Sequence, residues 1–222
     1  MNRALALAAY VATIVAANWM TATFGLVPIG FGLMVTAGTF AAGFALVARD
    51  AVPQSTASDA RNNGCFTDSY PGDDGYLALL DRYDAHRDRC LFVAIPDVVG
   101  DAAATLALFP AMAQRISASG WPVALVAQDG MTPADLPDGL PWLFIGGSTD
   151  WKLGHDAAVL IAAAKDRGVR VHVGRVNSAR RYALFAGLGC DTADGTFVAF
   201  GPDRNYPQVQ AWMAAPQQLR WT

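Results

Sequence analysis

Two kinds of hydrophobic pattern divide the chain. Residues 4–18 (ALALAAYVATIVAAN) and 24–48 (FGLVPIGFGLMVTAGTFAAGFALVA) are apolar throughout and carry no charge. A bilayer core takes roughly 20 apolar residues per helix. The second run is long enough for that, and the first becomes so on continuing through Trp19 and Met20. Trp19, Pro28 and the glycines nearby suit an interfacial turn, so the pattern predicts a two-helix transmembrane hairpin over residues 1–50. Arg3 and Arg49 flank it, which favours both ends in the cytoplasm and the remainder of the chain on the cytoplasmic side of the membrane. The first run with Arg3 before it also reads as a signal peptide, a reading that leaves the second run unexplained. The pattern changes at Asp50, and residues 51–61 (AVPQSTASDAR) are small and polar, as in a linker.

From residue 90 short apolar runs alternate with helical periodicity. CLFVAIPD, WPVALVAQDG, PWLFIGGS and VRVHVGRVN read as strands buried on both faces. AAATLALFPAMAQRISASG, HDAAVLIAAAKDRG and SARRYALFAGLG read as helices, the first two with a Gly stop and the last opening on a Ser cap. Strands of this kind alternating with helices predict an α/β domain with a parallel sheet. In such sheets and in barrels, ligands sit at the carboxyl ends of the strands.

Polar residues close each apolar run: Asp97, Gln128, Gly146 with Gly147, Asn177, then Asp194. Singly these have ordinary explanations. A strand-end Asp more often caps a helix or forms a turn than performs catalysis, and paired glycines permit a tight turn. Gln128 is more demanding, because an amide closing a buried strand needs partners. Together they put carboxylate and amide groups on one rim, suited to the edges of a planar heterocycle.

Composition adds three constraints. Hydrophobic residues make up 53% of the 222, which is why a membrane segment is sought first. Net charge is −3, so a nucleic-acid partner needs a local basic patch; Arg170, Arg175, Arg180 and Arg181 offer one near the last strand, or simply a solvated helix face. Cys65, Cys90 and Cys190 are too far apart for a Cys-rich zinc site, and an odd count argues against a disulfide framework. His155 and His172 have no partners at ligand spacing, so no metal is expected.

NNGCF at 62–66, IPDVVGDA at 95–102, LVAQDG at 125–130, FIGGS at 144–148, VGRVNS at 173–178 and GCDTADGTF at 189–197 occur in the order of the guanine transglycosylase motifs. The stretch resembles the DNA-guanine transglycosylase branch (the DpdA type), itself related to the queuine tRNA-ribosyltransferases. The resemblance implies a (β/α) TIM-barrel-like domain over 62–222 that exchanges guanine for a 7-deazaguanine in nucleic acid, DNA in preference to tRNA, with no cofactor. It implies that Asp194 and Asp97 are the catalytic carboxylates, Asp194 being the nucleophile at the anomeric carbon. Asp97 and Gln128 would also hydrogen-bond the guanine edge, the Gly146–Gly147 backbone would contact its exocyclic oxygen, and Phe66 would stack on the ring. Asn62 stands where the family has an Asp, and an amide cannot transfer a proton at neutral pH. No Cys follows Cys190, so the zinc cluster of the tRNA enzymes is not expected. A complete barrel takes about 250 residues and at least about 200, against about 160 in 62–222, so a partial barrel is expected.

Through the stretch ANWMTATFGLVPIGFGLMVTAGTFAAGFALVARD, the N-terminal fifty residues resemble the first hairpin of the queuosine-precursor transporter (VUT) family, whose members have about six spans. Three functional classes follow: base exchange, a membrane component importing a deazaguanine precursor, or a fused, non-catalytic remnant that binds the base.

Overall fold

A computed structural model of the chain describes residues 35–36, 44–46, 72–198 and 200–214. Its centre is five parallel strands: β3 (Cys90–Ala94), β4 (Val123–Ala127), β5 (Trp142–Ile145), β6 (Arg170–Val173) and β7 (Thr192–Ala193). They lie side by side in sequence order and curl as a half barrel. Two short strands extend the edges. β1 (Val35–Thr36) pairs antiparallel with β7, and β2 (Phe44–Leu46) pairs parallel with β3.

The helices α1 (Gly72–Arg82), α2 (Ala102–Ala118), the single turn α3 (Thr149–Lys152), α4 (His155–Asp166) and α5 (Ala179–Gly187) fall between the strands, and α6 (Pro202–Ala214) follows β7. Their ends follow local chemistry. The Asp101 carboxylate accepts from the Ala104 amide and caps α2, and the Ser178 hydroxyl accepts from the Arg181 amide and caps α5. Beyond α4 the chain turns at Gly168, whose φ of +73° suits glycine.

Period-two alternation divides the strand residues between two faces. Val93, Ile95, Leu125, Ala127, Leu143, Ile145, Val171 and Val173 meet the buried sides of the helices, including Met112, Ile116, Leu160, Ile161 and Phe185. Phe92, Ala94, Ala124, Val126, Trp142 and Phe144 form a separate cluster on the concave face. Burial of both faces explains why these strands read as unbroken apolar runs.

The linker 51–61, Asn62 and Phe66 lie outside the described residues, as does most of the hairpin at 1–50. Within the expected second span, the five described residues are strand, not helix. A continuous apolar run suits a buried strand as well as a helix. Among the described residues no helix is long and apolar enough to cross a membrane.

Candidate functional site

The strand ends converge on one rim. Asp97 follows β3 and Gln128 follows β4; they are 4% and 1% exposed. The Gln128 amide nitrogen donates to Asp97 Oδ2, and its Oε1 accepts from the Gly100 amide at 2.9 Å. The amide thus finds partners at both ends. It also fixes the loop between β3 and α2, whose cap is Asp101 and not Asp97. Capping therefore does not account for Asp97, a buried carboxylate held by a neighbouring strand's side chain.

After β5 the chain passes through Gly146 and Gly147. A Cβ on Gly146 would lie 2.9 Å from the Gln128 amide nitrogen and 3.0 Å from the Ala127 carbonyl, so only glycine lets β5 end against Gln128. Gly147 has φ +59°, and a Cβ there would meet the Trp151 ring at 2.6 Å. The Asp129 carboxylate accepts from the Ser148 amide at 2.6 Å, which ties this turn back to β4. Lys152, buried on α3, donates to the Gly174 carbonyl at 2.6 Å, and the Arg175 guanidinium donates to the Gly147 carbonyl. These contacts lock the β5 and β6 ends together. Arg175 itself has φ +63°, an unusual conformation for a non-glycine residue.

That conformation turns the Arg175 amide toward Asp194, whose Oδ1 accepts from it at 2.9 Å. Asp194 is 7% exposed, and its Oδ2 lies 3.0 Å from His172 Nε2. His172 Nδ1 lies 2.7 Å from the Thr192 hydroxyl. An ionised carboxylate only accepts, so Nε2 carries a proton toward Asp194; in the neutral ring Nδ1 then accepts from Thr192. Phe92 and Phe144 pack against the imidazole, with centroids 5.0 and 4.7 Å away.

The rim is therefore continuous: Asp97 to Gln128, Gln128 against Gly146, Gly147 to Arg175, Arg175 to Asp194, Asp194 to His172. Five residues expected on one rim, Asp97, Gln128, Gly146, Gly147 and Asp194, are brought into this chain of contacts. Asn177 serves a neighbouring role, its Oδ1 accepting from the Phe197 amide at 3.1 Å and so holding the loop after Asp194. Asp191 accepts from Lys165 at 2.6 Å and from the Val171 amide at 2.7 Å, a tie between α4, β6 and β7.

The four-arginine rim does not form as expected. Arg170 opens β6, at the amino end of the strand, and its guanidinium stacks 4.4 Å over Trp142. Arg175 lies past the other end of the strand, which itself advances about 10 Å at 3.3 Å per residue from Arg170 to Val173. Adjacent numbers conflated the two ends of one strand. Arg175, Arg180 and Arg181 remain at the carboxyl side, with the Arg181 guanidinium donating to the Arg175 carbonyl at 3.5 Å.

His172, Thr192, Lys152 and the Arg175 conformation were not singled out from sequence as parts of a site. The register pairs His172 with Thr192 across β6 and β7, and Asp194 follows two residues later on the same face. The one available signal was a His between the valines of the strand in VRVHVG, which is otherwise apolar after Arg170. Nearby, burial first and the Asp191 charge second push the Cys190 thiol well above its ordinary range. Among the described residues no group of three or more His, Cys, Asp or Glu side chains is arranged to hold a metal ion.

An α/β protein with a buried, interlinked polar rim at its strand carboxyl ends is the class that the fold and the geometry define. No family model and no curated protein matches the chain. One solved structure, the FimX EAL domain of Xanthomonas citri in complex with c-diGMP, aligns at 17% identity over 62% of this chain and 56% of that one, with a TM-score of 0.39. The chain thus spans little more than half of that structure, and at this similarity the match bears on neither ligand nor chemistry.

Proposed function

We propose that residues 62–222 are a guanine transglycosylase-like domain, a partial (β/α) TIM barrel that exchanges guanine for a 7-deazaguanine in nucleic acid, DNA in preference to tRNA. The observation that carries this reading is the rim of hydrogen bonds and close packing that joins the Asp97–Gln128 pair, through the Gly146–Gly147 turn and Arg175, to Asp194. Base recognition needs acceptors for the guanine N1–H and exocyclic amine, and Asp97 supplies carboxylate oxygens. The Gly146–Gly147 turn offers backbone to the exocyclic oxygen. Exchange with retention also needs a carboxylate nucleophile, fixed in orientation.

In the first half-reaction an Asp194 oxygen bonds to the anomeric carbon as the glycosidic C–N bond breaks. The bonding pair leaves with guanine, which takes a proton from water. In the second, the ring nitrogen of the incoming deazaguanine, losing its proton to water, attacks the same carbon and expels the Asp194 carboxylate. Two displacements restore the original configuration. Asn62 supplies no acid or base, so the rate is lower by the roughly 10²–10⁴-fold that general acid–base catalysis contributes.

The test is incorporation of labelled guanine into DNA and tRNA by the purified chain. Asp194→Asn abolishes it and Asn62→Asp raises it. No incorporation even with Asp at position 62 rejects the enzyme reading. A base-binding domain without turnover is the second reading; Asn62, which can hydrogen-bond but cannot transfer a proton, favours it.

A further inference from the structure

The geometry assigns to His172 a task in the proposed exchange: as a neutral donor it orients the Asp194 carboxylate, which fixes the ring proton on Nε2 and leaves Nδ1 to accept from Thr192. The role in exchange rests on the base-exchange reading; the donor assignment does not.

His172 is 1% exposed and sits in the concave face, packed against the rings of Phe92 and Phe144. A polar ring there is costly unless both nitrogens are satisfied. A purely structural histidine could meet that need with a backbone carbonyl on one nitrogen and a backbone N–H on the other. Here both partners are side chains, Thr192 Oγ1 at 2.7 Å and Asp194 Oδ2 at 3.0 Å. Both lie on β7 or one residue past it, and the in-register pairing of His172 with Thr192 puts all three on one face. Donation runs one way, from Thr192 to His172 to Asp194. The space beside them is also set: a Cβ on Gly174 would meet the Phe144 ring at 3.0 Å and Asp194 Oδ2 at 3.6 Å. Glycine at 174 therefore lets Phe144 close over the imidazole without displacing the carboxylate.

Hydrogen bonds donated to both of its oxygens favour the anionic form of the nucleophile. A neutral imidazole stabilises the carboxylate by a hydrogen bond without taking its charge, while the Arg175 amide holds the other oxygen at 2.9 Å. When Asp194 becomes a glycosyl ester, its charge is lost and the bond from His172 weakens; when the carboxylate is expelled, that bond is regained. No proton is transferred at His172. It is a positioning residue, acting on the reaction through Asp194.

The chain has three histidines, so histidine-selective ¹⁵N labelling of the full chain gives a readable long-range ¹⁵N–¹H spectrum. The expected spectrum shows one ring protonated at Nε2 and bare at Nδ1, lost in His172→Phe and shifted in both Thr192→Val and Asp194→Asn. A ring protonated at Nδ1, or one insensitive to Asp194→Asn, overturns the assignment whether or not the protein turns over. In the exchange assay, His172→Phe keeps an aromatic ring but no donor, and kcat falls about 10²-fold, as misplacement of a reacting group does, with KM for the base unchanged. His172→Gln, which restores an N–H near the Nε2 position, recovers most of that loss. Wild-type turnover in His172→Phe overturns the positioning role. Absent exchange by the wild-type chain counts against the base-exchange reading, and the spectrum still decides the donor assignment.

Discussion

Replacing Gln128 with Ala probes the rim at its most buried point. The substitution removes the donor to Asp97, a hydrogen bond to a charged acceptor contributing about 1.5–3 kcal/mol, and the acceptor for the Gly100 amide, contributing about 1 kcal/mol. With Gln128 1% exposed, water does not readily replace either partner, so a loss of about 3 kcal/mol in unfolding free energy is expected. The assay is urea unfolding followed by tryptophan fluorescence, run as a double-mutant cycle with Asp97→Ala. The two losses are not additive, and the double variant is more stable than their sum predicts by about 1.5–3 kcal/mol. Calorimetry with a 7-deazaguanine shows binding weakened by about 1–3 kcal/mol, because Asp97 loses the neighbour that aims it. Additivity within about 0.5 kcal/mol would refute the pairing, and wild-type affinity in Gln128→Ala would refute its role in the pocket.

Other expectations follow from single contacts. Gly195→Ala puts a Cβ 2.5 Å from the Val176 carbonyl, against backbone that cannot move aside, and unfolding free energy falls by about 3 kcal/mol; Gly139→Ala, with φ +69° and open space around it, falls by only about 1–2 kcal/mol. Burial and Asp191 raise the Cys190 thiol, so its thiolate fraction at pH 8 is below that of a free cysteine, and peptide mapping after alkylation of the native chain finds it unmodified until urea is added. Residues 4–48 span a membrane only where the edge pairing of β1 and β2 is absent, since the same residues cannot do both. The uncharged runs predict that the full chain pellets with membranes after alkaline carbonate extraction and that deletion of 1–50 releases it; extraction of the full chain into the supernatant rejects the span.

The fold is legible in the sequence where a residue's neighbours along the chain determine its state. The unbroken runs at Cys90, Val123, Trp142 and Arg170 begin strands because a sheet covered on both faces leaves no polar face to interrupt them. The Ser178 cap was visible in the same way. β7 was not, because two residues inside the polar motif GCDTADGTF give no period to detect, and α6 carries Pro207 within a mostly polar stretch. Of the site, the strand-end residues were legible because parallel sheets collect polar groups at one end. His172 was not, since its partners come from the register between β6 and β7, which spacing along the chain does not encode. The separation of Arg170 from Arg175 was lost for the converse reason: near neighbours in sequence lie at opposite ends of a strand.

Base exchange through Asp194 is the central claim. Mass spectrometry of nucleosides from DNA and tRNA of cells with and without the gene, and with Asp194→Asn in its place, tests it most directly. A 7-deazaguanine nucleoside that appears with the gene and vanishes with Asp194→Asn is the predicted result. Identical nucleoside profiles in all three cell lines, with the protein present and folded, would contradict it.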